Sequence, residues 1–443
     1  MKHNIYDNFS KIGITIPNIY IPSNYVDMKK WAVIACDQYS SQPDYWENLK
    51  KFIDSEPSTL NMILPEVYLE DSNYEDKLNK INSTMSNYLN DKIINNIGEA
   101  FILVKRKVND TQTRNGLILA VDLEFYDYNK GSDTLIRATE GTIVDRLPPR
   151  IKIRENAPLE IPHVQMLIDD PCKSIIEPIA ENTIHLKKLY DFELYKNKNI
   201  QGFKISSEKH FEKLYYGFKK LIENKNNPLL FAVGDGNHSL ATAKSIWETT
   251  KVNLSENESI NHPARYALVE IINLHDESLI FEPIHRILNN VNPEILINNF
   301  IDFYKNKNIS IEKIEFDNLN SMENYILNDK TSNRHLLPYK FLNNFGILKI
   351  LNPIHNLEVA TLQYFIDFYT NESSTFKIDY IHGKTTLSEL SEKDGSLGFY
   401  LPAMDKNELF RTVILDGSLP RKTFSMGESQ EKRYYLECRK IKK

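Results

Sequence analysis

Apolar residues recur in short blocks whose spacing switches between the two-residue period of strands and the 3.6-residue period of helices. The run Trp31-Ala32-Val33-Ile34-Ala35-Cys36 reads as a buried strand ending at Asp37-Gln38, and Pro43 then opens a helix through Tyr45-Trp46-Glu47-Asn48-Leu49. Residues 100–108 and 116–126 read as two strands of a mixed or antiparallel sheet, the second apolar on both faces. From Glu208, the residues Phe211, Leu214, Tyr215, Phe218, Leu221 and Ile222 share one helical face. Residues 224–228 end that helix, and Leu229-Leu230-Phe231-Ala232-Val233 forms a short buried strand. Gly234-Asp235-Gly236-Asn237-His238-Ser239 follows, and then Leu240, Ala241, Ala243, Ile246 and Trp247 line the inner face of another helix.

Residues 251–262 are polar and read as a loop, followed by a strand over 265–272 and an apolar Leu279-Ile280-Phe281. Beyond 290 the pattern gives a helix over 293–304, a strand over 309–316 and a helix over 358–369. Three regions are expected: an N-terminal α/β region over 1–130, a core over 131–290, and a C-terminal α/β region over 291–443 that contributes a basic segment. The last stretch, 419–443, is strongly charged yet holds Phe424, Tyr434, Tyr435 and Leu436.

Composition narrows the function classes. At 443 residues, with 41% hydrophobic and 26% charged, the chain resembles an ordinary multidomain globular protein. A net charge of −6 argues against broad electrostatic binding of nucleic acid, which needs a basic face. The three cysteines, Cys36, Cys172 and Cys438, make neither a disulfide framework nor a zinc knuckle. Neither a secretory signal nor a membrane-spanning run is visible, so the expectation is a cytoplasmic protein without a membrane partner. Oligomeric state is not encoded in any feature of this kind.

Glycine is scarce, 15 in the whole chain, so two glycines flanking one aspartate between a strand and a helix stand out. A helix start leaves backbone N–H groups unpaired and carries partial positive charge, which suits an anion. Asp235 could hold Mg²⁺ between phosphates or accept a proton, and His238 could donate to a phosphate oxygen or act as acid or base. On residue types alone, Asp235 and Asn237 read equally well as turn and cap residues, and His238 as a structural histidine. Neither the Walker A nor the dinucleotide fingerprint fits the loop. Of the remaining candidates, Cys36 reads as a buried small residue and His163 as an incidental loop histidine.

The segment Phe231-Ala232-Val233-Gly234-Asp235-Gly236-Asn237-His238-Ser239-Leu240 resembles the Asp-Gly-x-His signature of the family known as domain of unknown function 1015, often labelled ParB-like. Ala35-Cys36-Asp37-Gln38-Tyr39, Ser40-Ser41-Gln42-Pro43, Phe281-Glu282-Pro283-Ile284-His285-Arg286 and Leu419-Pro420-Arg421-Lys422-Thr423-Phe424-Ser425 resemble the family as well. The resemblance implies an α/β protein with a mixed sheet, its ParB/sulfiredoxin-like nucleotide-binding core flanked by additional α/β segments.

It also implies a nucleotide-dependent phosphotransferase using ATP or ADP with Mg²⁺ on a small hydroxylated metabolite, free serine in particular. The alternatives are a non-enzymatic nucleotide sensor and a nucleotide hydrolase. In that reading Asp235 and His238 are catalytic, Asp235 doubling as metal ligand. Gly234, Gly236, Asn237, Ser239, Arg137 and Lys422 contact the nucleotide, while Asp37, Gln38, Glu282, His285 and Arg286 contact the substrate. The free-serine kinases of the class read Asp-Gly-His-His-Arg, whereas this chain has Asn237 and Ser239 at the variable positions. The missing arginine contact must come from elsewhere, with Arg137, Arg265, Arg286 and Lys422 as candidates.

Overall fold

The computed structural model describes residues 2–40, 42–69, 71, 73–372 and 376–442; Ser41, part of one family-like segment, lies outside the described residues. These residues form two compact units, one of residues 1–280 with 426–443 and one of residues 281–425.

The first unit is built on a large mixed sheet. Its strand order is Lys187–Glu193, Asn199–Ile205, Phe101–Lys107, Thr113–Asp122, Tyr266–Asn273, Gln165–Ile168, Phe231–Asp235, Ile136–Ala138, Tyr126–Asp127. Strands from both sides of position 130 therefore share this one sheet: Ile118 lies opposite both Ile102 and Glu270. Gln165–Ile168 runs parallel to Tyr266–Asn273 and antiparallel to Phe231–Asp235, which in turn runs parallel to Ile136–Ala138.

Alternation along these strands separates two faces. Leu103, Leu117, Val269, Met166 and Val233 face one core with Phe211, Leu214 and Phe218 of the helix Glu208–Ile222 and with Trp247 of the helix Asn237–Lys251. Ile102, Val104, Ile118, Ala120 and Leu268 face another core with Trp31, Trp46 and the tail residues Tyr434, Tyr435 and Leu436. Further along this second face the pattern turns ionic. Arg106, Arg114, Gln165 and Glu270 are buried there, and residues 430–437 of the tail lie over them.

Two local expectations are corrected. Residues 31–36 do not form one strand, because Asp27 caps a short helix, Met28–Trp31, and only Val33–Ile34 is extended. The polar stretch 251–262 contains the helix Glu256–Ile260, nucleated by a capping box between Ser255 and Glu258. Other elements lie within a few residues of their sequence-derived positions, such as Pro43–Ile53, Pro293–Lys305 and Glu358–Glu372.

The second unit carries its own sheet, ordered Ile311–Phe316, Asn344–Leu351, Arg334–Phe341, Ser396–Phe399, Phe281–Asn289, Lys377–His382. Helices Pro293–Lys305 and Glu358–Glu372 meet through Phe300 and Phe365, whose ring centroids are 5.0 Å apart. The Tyr304 hydroxyl donates to the Thr361 carbonyl at 2.6 Å.

Candidate functional site

The glycine loop joins the C-terminal end of Phe231–Asp235 to the helix Asn237–Lys251. Gly236 takes the left-handed conformation, φ 81°, and is the helix N-cap. A Cβ there would sit 3.0 Å from the Val164 backbone, so glycine is required both by the turn and by the neighbouring chain. Helices Glu208–Ile222, Pro293–Lys305 and Lys406–Asp416 begin with a side chain of Ser207, Asn292 or Asp405 capping a backbone N–H. No side chain caps the helix at Gly236. A start of this kind directs backbone N–H groups and partial positive charge toward an anion. Gly234 serves a different end: a Cβ there would lie 2.6 Å from the Met426 sulfur, so it makes room for the tail.

Asp235 ends the strand as a partly buried carboxylate and accepts from the Gly236 N–H at 3.1 Å. Lys432 supplies its counter-ion, Nζ to Oδ2 at 3.4 Å, with the lysine side chain only 10% exposed. The same lysine and His163 act electrostatically on Asp37. Burial of Asp37 works to raise its pKa, but His163, the Gln38 amide at 3.1 Å and Lys432 together hold it below the usual carboxylate value. Asp37 is therefore ionised at neutral pH.

His163 borders Gly236, and its Nδ1 lies 2.8 Å from the Tyr435 hydroxyl. That hydroxyl accepts from the Cys36 N–H at 3.2 Å, and burial together with Cys36 raises its pKa well above the ordinary value. The contact with His163 fixes the imidazole ring and leaves Nε2 as the nitrogen not engaged by Tyr435. Burial and the adjacent Asp37 push the Cys36 thiol up to about 12, which keeps it protonated and unreactive. Two carboxylates, a buried lysine and an oriented histidine thus gather around an uncapped helix start. That set can neutralise phosphate charge and accept a proton.

The family model described as "Protein of unknown function (DUF1015)" matches residues 21–400. The chain belongs to this DUF1015 family. No curated protein matches it. Among solved structures it is similar to free serine kinase in complex with AMP, with a TM-score of 0.39 and 11% identity over 76% of this chain and 95% of that one. It is similar as well to a free serine kinase mutant in complex with ADP, with a TM-score of 0.39 and 11% identity over 76% and 96% of the two chains. A conserved hypothetical protein from Pyrococcus furiosus gives a TM-score of 0.34 and 13% identity over 75% and 94%.

In this DUF1015 protein several residues singled out in the sequence lie elsewhere or are otherwise engaged. His238 accepts from the Ile143 N–H through Nε2 at 3.3 Å, tying the preceding loop to the helix start. Asn237 donates back to the Val233 carbonyl at 3.3 Å, and Ser239 follows it in the first helical turn. Arg137 is buried and donates to the carbonyls of Thr134 and Pro228 at 2.7 and 3.1 Å, at the end of the Phe231–Asp235 strand remote from Asp235. It clamps a turn rather than reaching the loop. Arg265 is engaged by Asp122 through Nε at 2.9 Å and a terminal nitrogen at 2.7 Å.

Glu282, His285, Arg286 and Lys422 belong to the second unit. The first three do not surround one ligand, because His285 and Arg286 are successive on a strand and point to opposite faces. Arg286 donates to the Ile284 and Arg421 carbonyls at 2.6 and 2.8 Å and lies over the Tyr380 ring. His285 is buried and accepts from the Leu401 N–H at 3.0 Å; burial, with Lys384 and Arg286 nearby, lowers its pKa to about 4. Lys422 adopts a left-handed backbone, φ 58°.

Lys432 and His163 are the two residues that sequence reasoning missed. The available signal for Lys432 was the apolar run Tyr434-Tyr435-Leu436 inside a charged tail, a mark of chain packed into the protein. For His163 there was none beyond its place before a buried strand.

Proposed function

We propose that the glycine loop of the first unit binds the phosphates of an adenine nucleotide and that the protein transfers a phosphoryl group to a small hydroxylated metabolite, free serine being the first acceptor to test. The observation that carries this reading is the Lys432–Asp235 pair, 3.4 Å apart at an uncapped helix start. It supplies locally the cation that the loop sequence lacks. In the ParB-like reading of the family, Gly236 and the first helical turn cradle the phosphates, and Lys432 neutralises charge on the transferred group.

The acceptor lies toward Asp37 and Gln38. The ionised Asp37 takes the hydroxyl proton as the acceptor oxygen bonds to phosphorus and the bond from phosphorus to the nucleotide's bridging oxygen breaks. His163, held by Tyr435, offers Nε2–H to a phosphoryl oxygen. His238 holds the 143 loop against the helix start and joins catalysis only if the Ile143 bond opens on binding.

Among the described residues no group of three or more histidine, cysteine or acidic side chains could hold a metal ion. The residues fit instead a magnesium carried by the nucleotide, with Asp235 as its protein carboxylate. Bound there, magnesium would supply further neutralisation of phosphate charge.

The test is phosphorus NMR of the full chain with ATP or ADP, Mg²⁺ and a panel of hydroxyl amino acids and sugars. A new phosphate-ester resonance that depends on the acceptor is expected, and Asp235→Asn should abolish it. Phosphate release without an acceptor would replace the reading with a hydrolase. Tight nucleotide binding without turnover would replace it with a sensor. Full activity in both Asp235→Asn and Asp37→Asn would remove the site assignment.

A further inference from the structure

The first unit contains a basic concavity whose described lining residues do not include the glycine loop. A cavity of about 310 Å³ is lined by Arg106, Lys107, Lys196, Lys198, Gln430 and Glu431, with Val108 and Asn197 completing its wall. Neither Asp235 nor Asp37 is among the described residues that line it. Four cations thus face a single carboxylate, and that carboxylate is already engaged, because Glu431 takes the Arg114 guanidinium at 2.9 Å.

Arg106 is buried at the floor, where one terminal nitrogen donates to the Lys432 carbonyl at 2.7 Å. Its Nε and other terminal nitrogen have no hydrogen-bond partner among the described residues, and Glu270 stands 3.7 Å from the latter. Burial, helped by the neighbouring Arg114 and Arg433, lowers the pKa of this arginine against the opposing pull of Glu270. At the rim the exposed Asp110 takes Lys198 at 2.8 Å and stands 4.0 Å from Lys107, one carboxylate shared by two lysines.

The tip of the hairpin between the first two strands of the sheet forms one wall, with Lys196 in a left-handed conformation and exposed. Asn197 anchors that tip by donating to the Gln430 carbonyl at 2.6 Å and to the Tyr434 hydroxyl at 2.9 Å. The cavity is therefore framed by three fixed pieces of chain and stands at the small end of the range for metabolite sites.

We propose that this cavity is a second binding site, for a compact, multiply charged oxyanion. Such a ligand balances a lining richer in cations than in carboxylates and can meet the Arg106 nitrogens that lack a hydrogen-bond partner, and the lysines at the rim reach its outer oxygens. One consequence concerns the neighbouring site. The segment 430–432 contributes to the cavity wall through Gln430 and Glu431 and to the glycine loop through Lys432, so an occupant would hold that segment in place.

The experiment is calorimetric titration of the full chain with pyrophosphate, and separately with citrate, in a Lys432→Ala background that disables the glycine loop. One binding event is expected to survive there. Adding Lys107→Gln and Lys196→Gln should weaken it at least tenfold, and Lys107→Arg with Lys196→Arg should restore it. The tighter of the two anions assigns the site to phosphates or to carboxylates. The proposal is overturned if neither anion binds the Lys432→Ala protein, or if binding ignores Lys107 and Lys196. This outcome is independent of phosphoryl transfer, because the readout needs neither nucleotide nor turnover.

Discussion

Both units bury charged groups in ion pairs, the second holding Lys349 against Asp329 at 3.3 Å and Lys340 against Glu392 at 2.9 Å, but they differ in what else they keep inside. The first pairs full charges under its tail: Glu270 lies 3.7 Å from both Arg106 and Arg433, Arg433 engages Glu437, and Glu160 takes Arg439 at 2.5 Å. Burial opposes ionisation of Glu270 and Glu160, yet their arginine partners hold both below the usual carboxylate value. The second unit buries histidines in their neutral form. Its His285 and His335 are both lowered to about 4, chiefly by burial, and His335 meets the Thr361 hydroxyl at 2.8 Å. Charge kept inside a fold needs a partner of opposite sign, whereas a histidine can shed its charge instead.

The contrast is broken most severely at Glu270. Glu270→Ala leaves Arg106 and Arg433 buried without their shared carboxylate and should cost about 3–5 kcal/mol, read by urea denaturation. Equal stability of the variant would mean that the ionic belt is solvated.

Acid separates these buried groups by window. The unfolded histidines bind protons below about 6.5 while the folded ones resist until about 4, so stability falls as pH drops through that interval. The upper limit is about 1.4 kcal/mol per pH unit for each histidine. In the first unit the folded carboxylates lie below their usual value of 4.5, so their contribution is present above that pH and is lost only on further acidification. Hydrogen exchange at pH 5 should therefore show earlier loss of protection in the 334–341 and 281–289 strands than in the 101–107 and 113–122 strands. Simultaneous loss would contradict the distinction.

Smaller changes sharpen the same comparison. Gly234→Ala forces a Cβ against the Met426 sulfur and should cost about 1–3 kcal/mol, with the loss of exchange protection confined to the first unit. His335→Gln keeps a polar group near Thr361 while removing one titrating site. It should flatten the acid dependence of the second unit with little change in its stability at pH 7.

Much of this architecture was legible because it depends on local pattern. The helix at Glu208–Ile222 carries four buried residues at helical spacing, and the loop after Phe231–Asp235 is marked by two glycines in a glycine-poor chain. The capping box at Ser255 was readable in principle but lay hidden in a polar stretch. The candidate site was legible only in half. Asp37 and Asp235 each follow an apolar run, so each could be placed at a strand end.

Their meeting depends on Lys432, which lies about two hundred residues from the loop in sequence and arrives through the tail. No local rule links such positions. Arg137 and Arg265 show the converse: arginines attractive in sequence prove to be bound to nearby carbonyls or to Asp122.

We propose Lys432, and not Lys422, as the cation that a nucleotide phosphate meets. Calorimetric titration of ADP with Mg²⁺ into the wild type, Lys432→Ala and Lys422→Ala measures this directly. Loss of a charge-assisted contact in Lys432→Ala should weaken binding by about 10- to 100-fold, with Lys422→Ala unchanged. Wild-type affinity in Lys432→Ala, or a loss confined to Lys422→Ala, would contradict the account.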